Sequence, residues 1–366
     1  MKVTDLKMTM FNWKSQNWRT GAHSFGGTVP LGIVTVTTDE GLEGHSFLGS
    51  SRQGADEFAI QLIKYLKPIV VGANPTDTGA LWEKMWKLRR NVSPRPIGSV
   101  DVALWDVAAK IAGLPIFRML GACRTSIPAY ASSSFIPTPE GYAEEALKFK
   151  AMGWPAYKMH PHGVEKEDIQ ICTAVRKAVG EDYILMLDAM WAFQYETAMR
   201  IGRAIEELDY YWYEDPLIEE DFLSYERLRD KLDIPIMCTE YAPGGFYGMA
   251  PWVMHKATDI LRGDVAVCGG ITPMVRLCHL ADAFRMKCEI HHGGNSLLNA
   301  ANLHIMMAIN NCEFYEVFPC SGANKYGLVE DIEVDSNGLV HVPEKPGLGY
   351  EIDWDLVKQE FVAEVK

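Results

Sequence analysis

No apolar run in this chain of 366 residues approaches the roughly 18 needed to cross a bilayer, and the first dozen residues lack the parts of a secretory signal. A soluble, cytoplasmic protein with no membrane partner is expected. Positive charge is scarce as well. Lys and Arg number 35 against 48 Asp and Glu, a formal net charge of -13, and no basic stripe with interleaved aromatics offsets it. That balance argues against a nucleic acid partner. The eight cysteines are scattered without CxxC spacing, several inside apolar runs, so reduced and mostly buried thiols are expected in place of a disulfide framework. No G-x-G-x-x-G follows a strand-like run, which removes the signature of a doubly wound dinucleotide fold.

Apolar residues are plentiful by contrast. At 48% hydrophobic and 23% charged, the chain has enough material for a large core, and its length suits one barrel plus an accessory unit. Residues 3–13 read as a strand, 14–30 as a polar, Gly-rich loop, and 33–37 as a second strand before a turn at Asp39-Glu40-Gly41. Helical periodicity follows over 55–66, 76–91 and 100–114. From Ser126 onward, short β-rich runs alternate with amphipathic helices. Eight strands are predicted at 127–132, 156–160, 184–188, 211–214, 234–240, 259–264, 287–291 and 313–318, the pattern of a TIM-type (β/α)-barrel. The tail alternates at Ile332 and Val334, turns at Ser336-Asn337-Gly338 and resumes at Leu339, a hairpin expected to return to the N-terminal unit. The expected division is an α+β capping unit over 1–125, the barrel over 126–329 and a returning segment over 330–366.

Three acids end three successive strands: Asp188, Glu214 and Glu240, 26 residues apart each time. A single strand-end acid is more often a helix cap, but three in register face one barrel mouth. Converging carboxylates repel unless a hard divalent cation takes their oxygens, and magnesium fits that set. In Lys158-Met159-His160 the period of two sends Lys158 and His160 to the same face. Asp264 ends the sixth strand, and His291-His292-Gly293-Gly294 follows the seventh. A carboxylate that orients an imidazole makes an acid/base pair, and only one of two adjacent histidines faces a given way. Glu316, on the eighth strand, either donates to a developing oxyanion when protonated or pairs with Lys158. A zinc hydrolase barrel is disfavoured, since 127–132 carries no His-x-His.

Together these residues resemble the enolase superfamily, in its mandelate racemase-like branch, over nearly the whole chain. Ser99-Val100-Asp101-Val102-Ala103-Leu104-Trp105-Asp106, closing through Gly113-Leu114-Pro115 and Leu120-Gly121, is similar to the family's last capping helix, and Pro346-Gly347-Leu348-Gly349 to its C-terminal return. The resemblance implies that Asp188, Glu214 and Glu240 bind Mg2+, that Asp264 and His292 form the dyad, and that Glu316 stands opposite the substrate carboxylate. His292 is preferred to His291 because Gly293-Gly294 follows it. Lys158 matches the first lysine of the family's second-strand pair, while His160 stands where many members have a second lysine. The implied activity is dehydration of a sugar acid, an aldonate or aldarate, through an enediolate to a 2-keto-3-deoxy acid. A racemase or epimerase using the same enediolate is the alternative, and a non-catalytic acid-binding barrel a weaker one. Arg19, His23 and His45 are the expected contacts to the far end of a small carboxylate substrate, and a homo-oligomer is the expected assembly.

Overall fold

The computed structural model describes residues 1–20, 23–319 and 323–366, with side chains throughout except at 18–20, 23 and 24. The chain opens with a long antiparallel hairpin, β1 (Val3–Thr20) and β2 (His23–Thr38), followed by β3 (Glu43–Leu48) on the far side of β2. The segment 14–30, expected as a loop, is therefore largely strand. Its polar residues alternate along a ladder whose register slips between Ser15 and Trp18, and an irregular, polar two-stranded arm carries no apolar period for sequence reading to detect.

One face of this sheet buries Leu6, Met8, Val34 and Val36 against Leu62, Leu66, Trp82, Met85, Val100 and Leu104. The last two lie on the helix Pro94–Ala112, which starts with proline in its first turn and stops at Gly113, whose φ of 67° suits glycine.

Eight parallel strands form the barrel: β4 (Ser126–Ser132), β5 (Ala156–Met159), β6 (Ile184–Asp188), β7 (Tyr213–Glu214), β8 (Ile236–Cys238), β9 (Ile260–Gly263), β10 (Lys287–Ile290) and β11 (Tyr315–Val317). Their order is β10-β9-β8-β7-β6-β5-β4-β11. Between β10 and β11 a side chain completes the wall. The buried Glu289 carboxyl accepts from the N–H groups of Glu313 (2.8 Å) and Phe314 (3.3 Å), while Cys288 N–H donates to the Asn311 carbonyl at 2.8 Å.

The tail divides differently from expectation. Its hairpin strand β12 (Leu339–His341) pairs antiparallel with β4 of the barrel, because Val340 finds an apolar seat there. The strand that reaches the N-terminal sheet is β13 (Phe361–Val365), antiparallel to β1.

The helix Pro94–Ala112 is the joint between sheet and barrel. A Cβ at Gly98 would lie 2.5 Å from the Val265 carbonyl oxygen, so the helix meets the barrel loop backbone to backbone. Asp101, wholly buried, accepts from the Thr272 N–H at 2.9 Å and the Thr272 hydroxyl at 2.7 Å. Trp82 Nε1 donates to the Gly269 carbonyl at 2.8 Å. Asp106 accepts from His45 N–H, Lys110 Nζ and Leu348 N–H, so one carboxylate ties β3, the helix and the Pro346–Gly349 segment.

Burial pushes the Asp101 carboxyl up to about 7, against the pull of the Thr272 hydrogen bonds. A buried acid with a raised pKa costs nothing while protonated, and its penalty grows as pH rises from the unfolded value toward the folded one. Asp101→Asn should flatten this dependence. In denaturant titrations, the stability of the variant relative to wild type should rise by up to roughly 3 kcal/mol between about pH 4 and about pH 8. A constant difference across that range would refute the assignment.

Candidate active site

The barrel interior is built in layers two residues apart, as the strand period requires. Tyr130, Ala156, Met186, Trp212, Met237, Ile260 and Phe314 form a buried apolar floor, with edge-to-face contacts among Tyr130, Trp212 and Phe314. Two residues further along six of those strands stand Ser132, Lys158, Asp188, Glu214, Arg262 and Glu316, all buried. The remaining strand, β8, departs from the count. Met237 plus two is Thr239, yet the acid is Glu240. Thr239 adopts φ 92°, a strained value for a β-branched residue, and this extra twist accompanies the offset of one.

Such strain recurs at the neighbouring strand ends. Met190 and Trp191 after Asp188, and Asp215 after Glu214, also have positive φ. With Thr239 they are four of the seven non-glycine residues in that region among the described residues, concentrated at three adjacent strand ends. Backbone strain of this kind persists where the surroundings fix it and clusters at functional sites.

Four charges in the polar layer close into a ring of alternating sign. Lys158 Nζ lies 2.8 Å from Glu214 Oε2 and 2.9 Å from Glu316 Oε1. Arg262 reaches the other oxygen of each: Nε is 2.5 Å from Glu214 Oε1, and Nη2 is 2.5 Å from Glu316 Oε2. Burial alone would push the Glu316 carboxyl up and the Lys158 ammonium down. The opposing charges outweigh it, holding Glu316 well below and Lys158 well above its ordinary range. Glu316 is thus an ion-pair partner here and not the protonated donor considered from the sequence. Lys158, the match to the first lysine of the family's second-strand pair, lies beneath the mouth with contacts to Glu214, Glu316 and, at 3.5 Å, Asp188.

Two histidines stand above this ring. His160 Nδ1–H donates to the Ser133 carbonyl at 2.6 Å, which turns Nε2 toward Asp188 Oδ2 at 2.9 Å. Across the sheet, Asp264 caps the short helix Val265–Cys268 through Ala266 N–H and places Oδ2 3.0 Å from Nδ1 of His291, with Glu240 Oε1 3.3 Å from the same nitrogen. Burial disfavours the His291 imidazolium, but Glu240 and Asp264 outweigh it and raise its pKa.

The histidine paired with Asp264 is therefore His291, which corrects the reading that paired it with His292. The reason is strand parity. Cys288 and Ile290 face the helices, so Glu289 and His291 face inward and His292 outward. The His292 ring packs on Tyr315 with centroids 4.0 Å apart, and burial holds it neutral, its pKa pulled down to about 3. Parity also exposes two residues that sequence reasoning missed. Arg262 alternates with the outward Leu261, and its inward charge between Ile260 and Asp264 was a visible signal. Asn302 had none. Its Nδ2 donates to Asp264 Oδ1 at 2.8 Å and to the His291 carbonyl at 3.0 Å, clamping the pair from a helix.

A cavity of about 430 Å3 opens over these groups, lined by His160, Asp188, Trp191, Glu240, Tyr241 and His291 among others. Arg52 lines it as well. His45 does not. It sits beneath Trp354 in a separate cavity of about 300 Å3 beside Asp106 and Lys110, because its strand packs on the capping helix and not over the mouth. The side chains of Arg19 and His23 lie outside the described residues.

Among the described residues, no three acidic, imidazole or thiol groups are already gathered as a metal cage. The donors are nonetheless of the right kind. Asp188 and Glu240 line the cavity, and Glu214 lies between them in the sheet order, sharing Lys158 with Asp188 and Arg262 with Glu240. Three carboxylates from adjacent strands form an all-oxygen set suited to a hard divalent cation.

Comparison with known proteins agrees with this architecture. Residues 4–121 match the model for the mandelate racemase / muconate lactonizing enzyme N-terminal domain, and residues 141–356 match that for the enolase C-terminal domain-like family. The chain is 30% identical to the arabinonate dehydratase of Saccharolobus solfataricus over 88% of its own length and 89% of the relative's. It is 29% identical to the D-galactarolactone cycloisomerase of Agrobacterium fabrum over 89% and 90%. The crystal structure of a D-glucarate dehydratase from Agrobacterium tumefaciens complexed with magnesium superposes with a TM-score of 0.91 at 33% identity, covering 99% of this chain and 100% of that one. The three strand-end carboxylates, the capped (β/α)-barrel and these matches lead to one conclusion: the chain belongs to the enolase superfamily, in its mandelate racemase branch.

Proposed function

We propose that this protein is a magnesium-dependent dehydratase of a sugar acid, an aldonate or aldarate. The observation that carries the reading is the pair of imidazoles that enter one cavity from separate strands, each backed by a carboxylate: His291 by Asp264, and His160 by Asp188. The names of relatives, arabinonate dehydratase and D-glucarate dehydratase among them, favour the same chemistry.

Removal of a proton next to a carboxylate leaves a second negative charge on that group. Mg2+ held by Asp188, Glu214 and Glu240 would stabilise that charge. His291 takes the α-proton, and Asp264 with Glu240 stabilises the imidazolium that results. The electron pair passes into the enediolate and then expels the β-hydroxyl, which leaves as water with a proton from His160. The enol that remains ketonises to a 2-keto-3-deoxy acid. Lys158 and Arg262 act from below: both contact Glu214 and Glu316 and hold their orientation, and their charge keeps Glu316 ionised.

A second reading, racemase or epimerase, draws support from the same pair. An imidazole with its own carboxylate at His160 serves equally as a second base for reprotonation from another direction. Wild-type enzyme in deuterium oxide separates the two: a dehydratase converts substrate to a 2-keto acid, whereas an epimerase returns both epimers labelled at the α-carbon.

His291→Asn should lower kcat for 2-keto acid formation by about 10^2- to 10^4-fold while Mg2+ still binds, since the lost group moves a proton. Undiminished turnover in that variant would sink the role of His291. Chelation should abolish activity and Mg2+ restore it, with proton release on rebinding. Full activity of chelated, metal-free protein against a panel of mono- and diacid sugars would overturn the metal assignment.

A further inference from the structure

Arg262 has no part in the sequence reading, yet no cation in the site is more completely enclosed. It comes from β9, its backbone N–H donates to Thr239 Oγ1 at 3.0 Å, and Thr239 Oγ1 donates back to the Arg262 carbonyl at 2.9 Å. The strained Thr239 that sets the offset of Glu240 is thus latched to Arg262. The side chain then spans the floor of the mouth. Nε faces Glu214 at 2.5 Å and Glu240 at 3.6 Å, while Nη2 faces Glu316 at 2.5 Å and the Tyr130 hydroxyl at 3.4 Å.

We propose that Arg262 is a positioning residue that fixes Glu214, Glu240 and Glu316 relative to one another, so that the metal side of the mouth and its opposite wall share one rigid reference. The proposal rests on the magnesium reading given above. Its argument is geometric. Glu214 and Glu316 each give one oxygen to Lys158 and the other to Arg262, so neither carboxylate rotates without breaking a charged contact. A planar guanidinium holds its donors at fixed angles, which an ammonium does not. The charge count points the same way. Glu214 and Glu316 each sit between two cations, so Asp188 and Glu240, the carboxylates that line the cavity, are the ones that face an incoming divalent ion. Without the Arg262 side chain, Glu214 Oε1 and Glu316 Oε2 would each lose their second cation, while the backbone latch on Thr239 would remain.

The test uses Arg262→Lys, which keeps the charge and removes the fork, together with the double variant Arg262→Met/Glu316→Gln, which removes one cation with one anion and keeps the buried ring balanced. Mg2+ affinity is measured by calorimetry on folded protein, and kcat and KM by 2-keto acid formation. Loss of a group that orients metal ligands costs about 10- to 100-fold in metal affinity or activity. Arg262→Lys should therefore weaken Mg2+ binding about tenfold or more and lower kcat by a similar factor, with KM changed less than about threefold. The double variant should show the same weakened Mg2+ binding, because the Nε contact on Glu214 is lost in both. Asp101→Ala, which loosens the joint between helix and barrel and removes the Thr272 hydrogen bonds but no contact to a mouth carboxylate, should bind Mg2+ as wild type does and so separates positioning from general destabilisation. Wild-type Mg2+ affinity in Arg262→Lys, or equal weakening in Asp101→Ala, overturns the proposal. Absence of Mg2+ binding by the wild-type protein overturns the reading beneath it, and does so before any variant is compared.

Discussion

The structure depends on burying charge at the centre of a barrel in a ring of opposed signs. An isolated ion at such depth costs several kcal/mol even after relaxation, and breaking one partner of a buried pair costs about 3–5 kcal/mol. The ring of Lys158, Glu214, Arg262 and Glu316 meets this by alternating sign, each carboxylate engaging both cations. Everything above it inherits the ring's geometry: the carboxylates that face the cavity, the strained turns that aim them, and the two imidazoles. Below it, the aromatic floor of Tyr130, Trp212 and Phe314 excludes water and strengthens the electrostatics of the layer it supports.

Much of this was legible in the residues. Seven of the eight predicted strand segments contain an observed one, and the first misses its strand's start by one residue, because buried parallel strands leave short β-branched and aromatic runs between helical periods. Asp188, Glu214 and Glu240 stood out by spacing, and the period of two put Lys158 and His160 on one face. What failed did so where the signal was a single residue of register. His291 and His292 are indistinguishable by composition, and the glycines that follow them favoured the wrong one. Counting outward from Cys288 and Ile290 gives the right one.

Other features had no sequence signature. The described residues of the arm, 14–20 and 23–30, are strand by their backbone ladder and not by an apolar period. The seat of β12 on β4, and not on the N-terminal sheet, is decided by which edge a short apolar strand finds. Asn302 clamps the Asp264–His291 pair from a helix that reads as ordinary core. His45 lies under Trp354 because a strand's position in the cap, and not its polarity, decides which cavity it faces.

The pairing of β13 with β1 joins residues far apart in the chain; Lys7 and Glu364, an ion pair across that ladder, are separated by 357 positions. As the chain is synthesised, β1 emerges first and its outer partner last. The hairpin and its helices form early with one backbone edge unpaired, a surface that invites association with other chains. The order of synthesis therefore makes β13 a seal: the cap's open edge closes only after every barrel strand has been made, and until then that edge is open to other chains.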